Sequence, residues 1–254
     1  MVFAWLLALA LFVGMVLLLL AGRRIGLRNR AADPEGYDTG LGPLDGAIFG
    51  LLGLLLAFTF SGAAERLEHR RDLIVEESNA IGTAYLRLDL LSSPARENLQ
   101  EKLRVYTDTR LAAYAKMPDI EAAQAGIARA GEIGLEIWKE ATAAARAEGY
   151  QPATILLLPA LNEMLDITNS RTMATRSHPP TIIYAMLFLI ALASSLLAGY
   201  GIAGKSRSWI HMIGFSLTMA VAFYVILDIE YPRLGLIRVD SFDQALIDVR
   251  ASMK

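Results

Sequence analysis

Residues 58–91 read FTFSGAAERLEHRRDLIVEESNAIGTAYLRLDLL. No proline interrupts them, and the glycines at 62 and 82 stand alone. The apolar run that precedes them passes straight into Glu65, Arg66, Glu68, His69, Arg70, Arg71 and Asp72. The pattern predicts one helix that begins apolar, as a helix in lipid does, and continues densely charged for about thirty residues more. The reading of the whole chain turns on why it does so.

Working outward, four stretches lack Asp, Glu, Lys and Arg altogether: 3–21, 46–62, 181–203 and 209–227. About twenty apolar residues at 1.5 Å rise cross a hydrocarbon core of about 30 Å. The first, third and fourth reach that length, and the second reaches it by borrowing from its flanks. The first has no basic region before its apolar run and carries Arg23, Arg24, Arg28 and Arg30 after it, so it reads as a retained anchor rather than a cleaved signal. The predicted fold class is therefore all-α, a four-transmembrane-helix integral membrane protein. A helical extramembrane domain is inserted between helices 2 and 3.

The expected boundaries are 1–62 for the first membrane pair, 63–178 for the helical domain, 179–230 for the second pair and 231–254 for a C-terminal amphipathic segment. Composition supports the helical reading of the middle, which is rich in Ala, Leu, Glu and Arg. Residues 22–43 read as an exposed loop, and Gly204 to Ser208 as a tight turn. Ser93 is expected as an N-cap with Pro94 at the first helical position, and Pro118-Asp119 as a second helix start. Gly149 with Pro152 should separate two helices, and Pro159 should kink the next, which ends at His178-Pro179-Pro180.

At 100° per residue, residues 46–91 form two opposed stripes. One, with Ala63, Leu67, Ile74, Ser78, Ile81, Tyr85 and Leu88, is expected to pack against the central domain. The other carries Glu65, His69, Asp72, Glu76 and Asn79, and extends back through Phe58, Leu54, Leu51 and Ala47. Two readings of this second stripe stand. Its acids face water outside a domain, or copies of the helix surround an axis. In the second case Leu51, Leu54 and Phe58 form a hydrophobic neck, and the acids line a wet vestibule beyond it.

At these residues the sequence resembles the bestrophin channels and, more broadly, the bacterial bestrophin-like family. Bestrophins have the same two-plus-two membrane layout, with an apolar neck followed by F-R-N-N-A-x-Y-D-R-W-W-E-x-R. Here Phe58, Ala63, Glu65-Arg66 and Arg71 match that run, whereas Leu67 and Glu68 replace the tryptophan pair. The bestrophin-like resemblance also takes in VEESNAIGTAYLRLDLL and LDIEYPRLGLIRVDSFDQAL. It implies an oligomeric, pentameric ion channel in a bacterial inner (plasma) membrane, with lipid, other copies of itself and small inorganic ions as partners. Some bestrophins bind calcium in an acidic clasp after the last membrane helix. This chain keeps Pro232 and Gly235 there but puts Arg233 and Arg238 where oxygen ligands would be wanted, so no clasp is expected. The acids at 65, 72 and 76 lean the expected preference towards cations.

Other features point to no second chemistry. The chain has no cysteine and a net charge of −2, with no nucleic-acid motif. His69, His178 and His211 show no ligand spacing, so no metal or cofactor is expected. Ser194 and Ser195 have no accompanying base, and nothing suggests an enzyme. Asp228 and Glu230 should be solvated or paired with Arg233 or Arg238, and Glu76-Glu77 should form ordinary surface pairs with Arg70-Arg71. His211 reads as an interfacial hydrogen-bonding group. Gly199, Gly201 and Gly204 suggest close helix approach. Short-loop arginines place 22–43 in the cytoplasm, whereas the bestrophin layout implies the reverse. The alternative function is a non-conducting membrane adaptor or sensor whose helical domain binds a partner protein.

Overall fold

The computed structural model describes residues 2–32, 42–149, 151, 153–204 and 208–254. These form eight α-helices: α1 (Val2–Ala32), α2 (Gly42–Arg87), α3 (Ala95–Ala115), α4 (Ile120–Glu148), α5 (Leu158–Arg176), α6 (Thr181–Gly201), α7 (Trp209–Glu230) and α8 (Gln244–Ser252). Four helices are long and apolar enough to cross a membrane, and α1, α2, α6 and α7 supply their apolar runs. The chain divides into two compact units, Met1–Glu65 with His178–Tyr231 and Arg66–Ser177 with Pro232–Lys254.

In the first unit α1 packs on α6 and α7. Its buried edge is Ala4, Ala8, Leu11, Met15 and Leu19, a helical repeat that continues through Gly22 and Gly26. At Gly22 the backbones of α1 and α6 nearly touch. A Cβ at Gly22 would lie 2.0 Å from the Leu196 carbonyl oxygen, and one at Gly199 would lie 2.2 Å from that of Leu19. Helices in lipid gain little from hydrophobic exclusion, so such close small-residue contacts hold them together. Trp5 stacks on Tyr224 with ring centroids 4.0 Å apart. The expected loop at 22–43 is corrected here. α1 stays helical to Ala32, because the Gly22 backbone is packed against α6 and the arginines that follow are good helix formers. Residues 33–41, like Pro152 and the 205–207 part of the predicted turn, lie outside the described residues.

In the second unit Ile81, Leu88, Leu99, Leu103, Tyr106, Ile137, Leu157, Leu161 and Leu246 form a continuous core. α8 belongs to this unit, with Leu246 fully buried and the Ala245 carbonyl accepting from Ser78 Oγ at 2.7 Å. The Asp119 side chain caps α4 by accepting from the Ala122 N–H at 3.0 Å. Gly149, at φ 63°, ends that helix in the left-handed conformation that glycine adopts without strain. Two expectations shift. Pro94, not Ser93, occupies the N-cap of α3, and the Ser93 hydroxyl instead donates to Glu97 at 2.7 Å. Pro159 sits in the first turn of α5, where its missing N–H costs nothing, and the irregularity falls before it, in a π-helical turn over Ala153–Leu157.

Candidate functional site

α2 is one unbroken helix of 46 residues. Its apolar part is the least covered of the four spans: 17% of its most apolar window is buried, against 28% for α1 and 39% for α7. Along its inner edge Leu52, Thr59 and Ala63 are buried in the first unit, and Leu67, Ile74, Ser78, Ile81, Tyr85 and Leu88 in the second. All seven residues of the expected packing stripe are buried, but Ala63 is buried in the first unit rather than against the central domain.

On the other edge Leu51, Leu54 and Phe58 are 47%, 52% and 67% exposed. Glu65, His69, Asp72, Glu76 and Asn79 continue the same stripe and are all exposed. No basic side chain among the described residues pairs with Glu65, Asp72 or Glu76. Together they set a negative field along that edge.

One residue on, the helix does the opposite. Glu77 is completely buried. Arg110 Nε donates to its Oε1 at 2.7 Å, and Arg171 donates to its Oε2. Arg110 also donates to the Tyr114 hydroxyl. The Tyr114 ring lies beneath three guanidinium groups, with centroid distances of 4.3 Å to Arg171, 4.7 Å to Arg233 and 5.0 Å to Arg110. Burial, and after it the Glu77 charge, push the Tyr114 hydroxyl up to about 12. Arg233 in turn holds Asp243 through two hydrogen bonds of 2.8 Å each.

The expected surface pairs of Glu77 with Arg70 and Arg71 are thus overturned. Arg70 is buried and donates to the carbonyls of Ala174 (3.1 Å) and Ser177 (2.9 Å), closing the C-terminal end of α5. Arg71 pairs with Glu68 at 2.5 Å and lies over the Phe242 ring. These contacts fix the rotation of α2 in its own unit, and that rotation turns Asp72 and Glu76 outward.

Asp228 and Glu230 are buried, not solvated, and Arg233 and Arg238 bind Asp240 and Asp243 instead. Asp228 accepts from the Tyr224 hydroxyl at 2.8 Å. Glu230 lies 3.2 Å from His178 Nδ1, and the His178 ring stacks on Tyr231. Among the described residues no three of His, Asp and Glu converge as metal ligands. A calcium ion between Asp240 and Asp243 would meet the Arg233 guanidinium, so these residues do not fit that ion. His211 Nδ1 sits 2.6 Å from the Ser208 hydroxyl.

No motif marks the Glu77–Arg110–Arg171–Tyr114 cluster in advance. Its members lie 33 and 94 residues apart, and a Glu-Glu pair beside two arginines looks like surface.

An all-helical chain with four membrane-crossing helices, two on each side of an inserted helical unit, is a multi-pass integral membrane protein. The profile of the bestrophin-like domain matches residues 2–241, and the chain belongs to that family. Among curated proteins none matches it. Among solved structures it is similar to a bacterial bestrophin homolog from Klebsiella pneumoniae carrying a tryptophan-to-alanine mutation. The TM-score is 0.69 at 14% identity, over 96% of this chain and 98% of that one. A tyrosine-to-alanine mutant of the same description gives 0.66 at 14% identity, over 94% and 98%. A further membrane protein, a leucine-to-alanine mutant, gives 0.65 at 14% identity, over 93% and 98%. The fold is the all-helical bestrophin fold, and the build is that of an ion-channel-like membrane protein.

Proposed function

We propose that several copies of this chain assemble around an axis, five by the bestrophin resemblance, and conduct small inorganic ions along α2 across a bacterial inner membrane. Leu51, Leu54 and Phe58 form the neck, where an apolar ring controls passage by excluding water. Glu65, Asp72 and Glu76, with His69 and Asn79 between them, line the vestibule and favour cations. The observation that carries this reading is the uncovered edge of α2. It runs from three large apolar side chains to three acids without a cationic partner among the described residues, while the opposite edge is buried at Leu52, Thr59 and Ala63 and on through Leu88.

Recording from purified protein in planar bilayers, together with one image of the assembly, tests the proposal. Current that reverses towards the cation equilibrium potential, with Leu54 and Phe58 at the axis, is expected. The unpaired acids also suit a basic protein partner docking on a non-conducting adaptor. A monomer that stays silent across pH, calcium and voltage would favour that reading instead.

A further inference from the structure

α1 is longer than a bilayer requires. Its 31 residues span about 46 Å, against about 30 Å of hydrocarbon. The charge-free run ends at residue 21, and the remaining turns, GRRIGLRNRAA, hold four arginines and no acid. These turns are held against the first unit. Gly22 and Gly26 are buried, and the Gly22 backbone lies against the Leu196 carbonyl. Asn29 donates to the Tyr200 hydroxyl at 3.3 Å, and Arg30 lies along the backbone at Gly204.

The opposite edge of the same turns is open. Arg24, Leu27 and Arg28 are exposed, and Leu20, Arg23, Arg24 and Leu27 line a hollow of about 280 Å³. No acid among the described residues pairs with Arg24 or Arg28. Elsewhere some arginines outside the core do pair with acids, Arg104 with Glu101, Arg129 with Glu132 and Arg250 with Asp108. Trp209, half-exposed at the start of α7, marks the membrane–water boundary at this end of the unit, where indole rings concentrate.

We propose that Arg24 and Arg28, one turn apart, bind the phosphate of an anionic phospholipid, with Leu20, one turn nearer the apolar run, against its acyl chain. Guanidinium groups hold phosphate oxygens through paired hydrogen bonds, and the apolar surface below them distinguishes a lipid from a free anion. This site is independent of the conduction reading, because it needs only a membrane.

The test is native mass spectrometry of the full-length protein in detergent. It is titrated with phosphatidylglycerol, with phosphatidylcholine of the same chains, or with inorganic phosphate. Phosphatidylglycerol is expected to be retained in preference. Arg24→Gln with Arg28→Gln should weaken it about 30-fold while leaving phosphatidylcholine unchanged. Arg24→Lys with Arg28→Lys should keep most of the binding. The exposed Arg146→Gln with Arg176→Gln, outside the first unit, serves as the charge-matched control. Four results would each overturn the proposal: equal retention of the two lipids, displacement of phosphatidylglycerol by inorganic phosphate, an equal loss in Arg146→Gln with Arg176→Gln, or an Arg24→Gln with Arg28→Gln variant that binds like wild type. A double variant that changed subunit number instead would also refute it, by showing this edge to be a contact between copies.

Discussion

Glu76 and Glu77 are neighbours in sequence and opposites in environment. Glu76 stands exposed on the uncovered edge of α2, with no cationic partner among the described residues, in line with Asp72 and Glu65. Glu77 is wholly buried on the packed edge, shared by two arginines. A helix advances 100° per residue, so one step in the chain separates a group that holds the fold from one free to act on something outside it. Mutations on the packed edge should therefore report on stability. Those on the open edge should report on conduction and leave stability alone.

The sharpest test of that division is Glu77→Ala. It strands Arg110 and Arg171 as buried charges without a counter-ion, which typically costs about 3–5 kcal/mol. Glu76→Ala should change stability by no more than about 0.5 kcal/mol, as exposed sites do. Thermal unfolding of the two variants side by side measures the contrast. If both unfold like wild type, the packed edge is not where the second unit is held.

Next in size is an alkaline effect from the same cluster. Tyr114 ionises near 10 when unfolded and near 12 in the fold, so the fold favours its neutral form. That contribution is complete below about pH 10 and is lost as pH rises towards 12, because the unfolded chain releases its proton first. The loss amounts to about 2–3 kcal/mol. Denaturant unfolding at a series of pH values should show this fall, and Tyr114→Phe should flatten it. A residual slope should remain from Tyr106, which burial also pushes up. Equal slopes in wild type and Tyr114→Phe would show that the hydroxyl is not held neutral there.

On the open edge, Leu54→Ala with Phe58→Ala removes two of the three large apolar groups of the proposed neck. Single-channel current is expected to rise several-fold, with unfolding unchanged because both side chains are half-exposed or more. A loss of stability with no gain in current would mean that these residues pack against another copy rather than line a passage.

Much of this division was legible in the sequence, because the helical period alone separates Ala63, Leu67, Ile74 and Ile81 from Glu65, Asp72 and Glu76. The burial of Glu77 was not. Periodicity places a residue on a face but does not name the arginines that arrive there from α3 and α5. The extension of α1 was missed for a related reason. Gly22 and Gly26 weaken a helix read alone, and only the α6 backbone lying against Gly22 shows why that position is glycine. A pore belongs to several chains, so what one sequence can show of it stops at the uncovered stripe.

The smallest expected effect is also the most selective. Glu65→Gln with Asp72→Asn keeps the size and hydrogen-bonding capacity of both side chains and removes only charge. Neither acid has a cationic partner among the described residues, so no buried group is stranded and unfolding should be indistinguishable from wild type. If the acids set ion preference, the reversal potential under a salt gradient should move towards zero while the open-channel current changes little. The shift should grow as ionic strength falls, since exposed charges are screened over about 10 Å at 0.1 M salt. A reversal potential that stays put at low salt would assign selectivity to the neck and leave the acidic edge free for a partner.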